Sequence, residues 1–197
     1  MAEEQCVRCF RGTAVSLGIF LSEGDTPVLG GRGFHCGRCA AEALAELSGE
    51  GLHYVEVEPI AMTNAAGRRC RFHFQYLTTG PMPILRAFEL HDGIRSGYET
   101  AVMAQPDESS ASLIGRLLDR IRRLLARIDV EDAPELTLGL AMTSSEIRGV
   151  LSHDEERDGP CVVVDGRELD WDTFGQLLLS HEGFQFRLEF HDLTDEI

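Results

Sequence analysis

The chain has 197 residues, 43% apolar and 26% charged, with a formal net charge of −15. This length suits one domain, or one domain with a small appended module, and the composition is that of a folded rather than a disordered protein. No apolar run approaches the ~18–20 residues of a membrane span, and so acidic a surface repels phosphate backbones, which makes nucleic acid a disfavoured partner.

The opening MAEEQ is acidic, with neither a basic n-region nor an apolar h-region, which predicts a cytoplasmic protein with reduced thiols. The six cysteines then read as metal ligands or spare thiols, not as a disulfide framework. Cys6 and Cys9 lie in CVRC, and Cys36 and Cys39 lie in CGRC. Between them, residues 13–22 are β-branched and apolar enough for a strand, and residues 23–33 are turn-rich. The stretch CAAEALAELSGEG follows as a helix, with Gly49 as its C-terminal stop. Two knuckles, a hairpin and a helix describe a zinc-ribbon-like module over residues 1–52.

A C-x2-C pair lets one turn direct two sulfurs at one ion, and two pairs complete a tetrahedron of thiolates that suits Zn2+. Local disulfides, a redox CxxC and an iron–sulfur cluster are the alternatives. A thioredoxin-like motif needs one CxxC opening a helix in a βαβ setting, and Cys6 lies too close to the N-terminus for that. Four thiolates leave no open position for water and make the ion a poor Lewis acid, so the expected zinc is single and structural. Arg8 and Arg38 are expected to offset the negative charge, and His35 is the less simple choice of ligand.

Residues 53–197 are expected to form an α+β domain of antiparallel sheet with two or three helices, with a sub-boundary near 135. HYVEVEPIAM (53–62) and RCRFHFQYL (69–77) alternate as strands, the second with Cys70, Phe72, Phe74 and Tyr76 on one face. MPILRAFEL (82–90) and GYETAVMA (97–104) continue the meander. Leu113, Ile114, Leu117, Leu118, Ile121, Leu124, Leu125 and Ile128 then recur at helical spacing, with Ser109 or Ser110 as the cap. Further on come TLGLAMTS, IRGVLSH, PCVVVDGREL with an Asp-Gly turn, the helix WDTFGQLLLSH capped by Asp170 and left through Gly183, and a last strand, FQFRLEF.

Arg116, Arg120, Arg123 and Arg127 fall at i, i+4, i+7 and i+11 and form one stripe. They could bind an anion or an acidic partner. The simpler expectation is pairing with residues 136–197, where 4 arginines face 14 carboxylates. All 18 basic residues are arginine, which fits a high-GC genome; selection against lysine-directed modification is the sharper alternative. The His-Asp pairs at 91–92, 153–154 and 191–192 read as turn residues, and Cys70 and Cys161 as small buried side chains. None of the GxSxG, Walker A, HExxH or GxGxxG motifs occurs.

The knuckles together with CVVVDGRELDWDTFGQLLLSHEGFQFRLEF resemble an uncharacterised bacterial group with an N-terminal CxxC–CxxC ribbon and a C-terminal domain of unknown function. The resemblance implies this architecture and a bacterial origin, and no activity. The leading expectation is a protein-interaction or adaptor module that is not an enzyme, its partner being another protein. A cryptic hydrolase using His153, His181 or His191 with carboxylates is the alternative, and a nucleic-acid-associated regulator is the second.

Overall fold

The structure is a computed structural model and describes residues 3–14, 17–21, 33–48, 54–77, 82–154 and 157–195. Two short antiparallel hairpins open the chain: β1 (Glu3–Gln5) with β2 (Gly12–Ala14), and β3 (Gly18–Leu21) with β4 (Gly33–Cys36). The strand expected over 13–22 is thus split between two hairpins. Helix α1 (Gly37–Ser48) follows β4 directly and buries Ala40, Ala41 and Ala43. Gly49 and nearly all of the turn-rich stretch 23–33 lie outside the described residues.

The centre of the fold is a four-stranded antiparallel meander of β5 (Ile60–Thr63), β6 (Arg69–Leu77), β7 (Ile84–His91) and β8 (Ile94–Met103). Alternation in RCRFHFQYL turns Cys70 and Phe72 inward, both fully buried, with Phe74 and Tyr76 in the same cluster. Helix α2 (Ser110–Leu125) covers this face with Leu113, Leu117, Ile121 and Leu125. Each such side chain, removed from water, stabilises by about 1.5–3 kcal/mol. Ser109 caps the helix by accepting from the Ser112 amide at 3.2 Å.

Two features of this sheet were not foreseen. Residues 54–59 make no ladder, so the strand expected over 53–62 is reduced to β5; His53 itself lies outside the described residues. Pro59 sits where the next rung would form and has no N–H to offer. Glu89, almost fully buried, accepts from both Arg68 amine nitrogens at 3.0 and 2.8 Å and from the Tyr98 amide at 3.0 Å. Gly97, at φ +92°, leaves the room: a Cβ there would lie 2.6 Å from a Glu89 oxygen.

Beyond α2 come the hairpin of β9 (Val130–Asp132) and β10 (Leu140–Met142), then the meander of β11 (Val150–Asp154), β12 (Gly159–Val164) and β13 (Arg167–Asp170). Helix α3 (Trp171–Leu178) packs on them, capped by the Asp170 carboxylate, which accepts from the Thr173 amide at 2.7 Å. Val130, Val164, Leu169 and Leu177 form a second core. Strands β12 and β13 lie against β8. The turn between them, Asp165–Gly166, ties the two parts together: the Asp165 carboxylate accepts from the Asp129 and Val130 amides at 2.7 and 2.8 Å. The architecture is α+β, with three helices among the described residues and antiparallel pairing throughout. No described helix is long and apolar enough to cross a membrane.

The strand expected at FQFRLEF is the largest departure. Residues 185–191 make no ladder or turn hydrogen bond, and Phe184, Phe186, Leu188 and Phe190 are exposed.

Candidate metal centre and adjoining cleft

Two local structures bring the four knuckle thiols together. The first knuckle is the turn between β1 and β2, closed by the Phe10 amide donating to Cys6 O at 2.9 Å and by Cys6 N–H donating to Arg11 O at 3.0 Å. Phe10 adopts φ 61° to make this turn. The Val7 amide donates to Phe34 O at 2.9 Å, which fixes the knuckle against β4. Cys36 ends β4, and Cys39 sits in the first turn of α1.

The ligand atoms of Cys6, Cys9, Cys36 and Cys39 all lie within 4.8 Å of one another, with Cys9 and Cys36 sulfurs 3.7 Å apart. A disulfide needs about 2.05 Å, and all four thiols are free. Sulfurs about 2.3 Å from a tetrahedral ion are separated by roughly 3.8 Å, so the arrangement can bind a metal ion. Cys6 and Cys39 are buried, while Cys9 and Cys36 are partly accessible. Burial pushes the Cys6 thiol up, but the backbone amides of Cys9, Cys36 and Arg8 outweigh it and draw it down to about 6. Burial pushes Cys36 and Cys39 upward, Cys39 strongly. Binding an ion to this set displaces protons from the raised thiols.

Arg8 and Arg38 lie beside the cluster, as expected, but each also engages a carboxylate. Arg8 donates to Glu46 at 2.5 Å and to Cys39 O at 3.4 Å, and Arg38 pairs with Glu42 at 2.9 Å. Their direct partners are therefore carboxylates of α1, although both remain within electrostatic reach of Cys39. His35 is fully buried beside Cys36 but outside the thiol cluster. Its Nδ1 lies 3.2 Å from Gly33 O, and its Nε2 has no hydrogen-bond partner.

A cleft of about 580 Å3 adjoins the cluster. Cys9, Cys36 and Arg38 border it from the metal module, and Val55, Val57 and Gln75 from the sheet domain. Its origin is the short ladder of β5. The last rung is Ile60–Phe72, so residues 73–77 of β6 pair with β7 alone while residues 54–59 run free of them. The start of that segment is held by Tyr54, edge-on to Tyr76 at 6.0 Å. The module is fixed on the same side, where Gln75 Nε2 donates to Gly18 O at 3.5 Å. The cleft therefore lies where β6 continues past the end of β5, with the thiol cluster beside it. Sequence reasoning missed this site; Pro59 inside an alternating run was the available signal.

The arginine stripe is engaged within the chain. Arg116 pairs with Glu108 at 2.7 Å, Arg127 with Asp129 at 3.0 Å, and Arg120 donates to Thr194 O at 2.9 Å and to Asp195 O. Arg123 is exposed on the same helix.

The His-Asp pairs end in turns. Asp92 takes φ 53° between β7 and β8, Asp154 accepts from the Arg157 amide, and Asp192 accepts from the Thr194 amide. His153 lies 3.5 Å from Asp158, and His181 3.0 Å from Ser180 Oγ. Among the described residues none of these joins a cluster of three metal-ligating side chains. Cys70 and Cys161 are buried, and burial raises both thiols, Cys70 to about 11.

No curated protein and no solved structure matches the chain. Two segments match family models: residues 53–126 are similar to a domain of unknown function (DUF7686), and residues 124–195 to another (DUF7713).

Proposed function

We propose that this is a cytoplasmic protein-interaction module, not an enzyme, in which a single structural zinc holds together the ribbon-like residues 1–52, joined to an α+β domain formed by residues 53–197. The cleft between them takes an extended segment of a partner protein. The observation that carries this reading is the end of the β5 ladder at Phe72, after which β6 has β7 as its ladder partner and residues 73–76 line a cleft bordered by the thiol cluster. An extended peptide laid along β6 there continues the ladder with main-chain hydrogen bonds and places alternate side chains in the cleft. The zinc is assigned a structural part because four thiolates fill its tetrahedron and leave no position for a substrate. The cleft borders carry both signs, Arg11 and Arg38 with Glu56 and Glu58, which suits a peptide better than a phosphate backbone.

The test is a photo-crosslinking residue placed at Val57 in the cleft, with Leu136 on the remote 133–139 loop as control, in cells expressing the full chain. A discrete crosslinked species at 57, absent at 136 and lost when Cys9→Ser removes the zinc, supports the reading. Equal labelling at both positions, or none at 57, refutes it.

A further inference from the structure

Residues 184–191 are anchored at both ends and unpaired between. At the start, the Phe184 amide donates to His181 O at 3.0 Å, and its ring meets His181 edge-on at 5.5 Å. At the end, an Asx turn holds Asp192 to Thr194, and Arg120 of α2 donates to the carbonyls of Thr194 and Asp195. Among the described residues no backbone group of 185–191 makes a hydrogen bond. Exposure reaches 90% at Phe186 and 74% at Phe190, with Leu188 at 67%. Leu178 and Leu179, also exposed, lead into the segment and enlarge the apolar area. An alternating, aromatic, unpaired run of this kind is a template for strand pairing.

The sequence of the run states which strand fits. Laid antiparallel to itself about Leu188, the segment FQFRLEFH is self-complementary. Arg187 falls opposite the partner's Glu189 and Glu189 opposite the partner's Arg187. Phe186 meets the partner's Phe190, Leu188 meets itself, and Gln185 meets the partner's His191. Opposite charges and aromatic pairs directly across two strands are the favourable combinations, and like charges there are unfavourable. Moving the centre one residue either way sets Arg187 against Arg187 or Glu189 against Glu189. Within one chain Arg187 already pairs with Glu189 on the same face, so both charges are presented together.

We propose that residues 184–191 form a homodimer interface, pairing antiparallel with the same segment of a second copy about a two-fold axis at Leu188. Such an isologous contact is the commonest closed symmetry and satisfies both copies at once. It is independent of the cleft described above.

Sedimentation velocity on the full chain across a dilution series tests it. The wild type should pass from monomer to dimer as concentration rises. Arg187→Glu and Glu189→Arg should each weaken the dimer on the order of tenfold, since each places two like-charge pairs across the ladder. An equimolar mixture of the two variants should recover the wild-type constant, because every cross-strand pair is again of opposite sign while neither chain has its internal pair. Phe186→Asp, at an exposed site, should abolish the dimer while leaving the far-ultraviolet circular dichroism spectrum of the folded chain unchanged. A protein monomeric at all concentrations, single variants that dimerise like the wild type, or a mixture as weak as its parents overturns the proposal.

Discussion

Glu89→Ala removes the carboxylate that joins the turn before β6 to the middle of β8. Three bonds go with it: two to the Arg68 guanidinium, at 3.0 and 2.8 Å, and one from the Tyr98 amide at 3.0 Å. The Tyr98 residue is buried, so its N–H is left without a partner, at about 1–3 kcal/mol. The Arg68 side chain remains 34% exposed and regains water, which holds the loss of the ion pair to about 1 kcal/mol. The expected total is about 3 kcal/mol, a fall in melting temperature on the order of 10 °C for a chain of this size. Asp119→Ala is the control: its pair with Arg122 has both side chains more than half exposed, and the expected loss is below about 1 kcal/mol. Urea titration followed by far-ultraviolet circular dichroism, with Trp171 fluorescence as a second probe, gives both values. If Glu89→Ala costs no more than Asp119→Ala, the buried carboxylate does not join these strands as argued.

Metal analysis of protein purified under reducing conditions should find one zinc per chain, and Cys9→Ser should lose it together with stability of the N-terminal module; a metal-free wild type refutes the assignment. Gly166→Ala should destabilise by about 1–3 kcal/mol in the same titration, because Gly166 sits at φ +70° and a Cβ would lie 2.8 Å from the Tyr98 ring. The Glu108 carboxyl is held below its ordinary range: burial pushes it up, but the Gln105 amide, the Ser112 hydroxyl and Arg116 outweigh burial. A carboxyl depressed by folding stabilises above its unfolded value of about 4.3 and loses that contribution as pH falls through the lower folded value. Stability should therefore drop on acidification below about pH 4.3, and Glu108→Gln should flatten that part of the profile; an unchanged profile contradicts it.

Local order was legible where one signal dominated. The spacing of Leu113, Leu117, Ile121 and Leu125 gave both α2 and its buried face, and alternation gave β6 residue for residue. Asp170 as a cap and Asp165–Gly166 as a turn followed from side-chain chemistry alone. The thiol cluster was legible because C-x2-C spacing is itself a geometric constraint. What alternation does not contain is the partner strand. HYVEVEP and FQFRLEF alternate as well as RCRFHFQYL does, yet only the last has neighbours on both sides over part of its length. The pairing of Glu89 with Arg68 across 21 residues has no sequence period and became visible only with the fold.

The two halves of the thiol cluster lie far apart in the order of synthesis. Cys9 is made 27 residues before Cys36, which at about 5–20 residues per second is a delay of roughly 1–5 s. Throughout that interval the nascent chain carries a dithiol with only half of a coordination shell, open to oxidation or to a competing soft ion. Closure must wait until α1 has begun, since Cys39 lies in its first turn. A metal ion can fill the cluster only after Cys39 has been made, and until then thiol redox state and competing soft ions act on the Cys6–Cys9 pair alone.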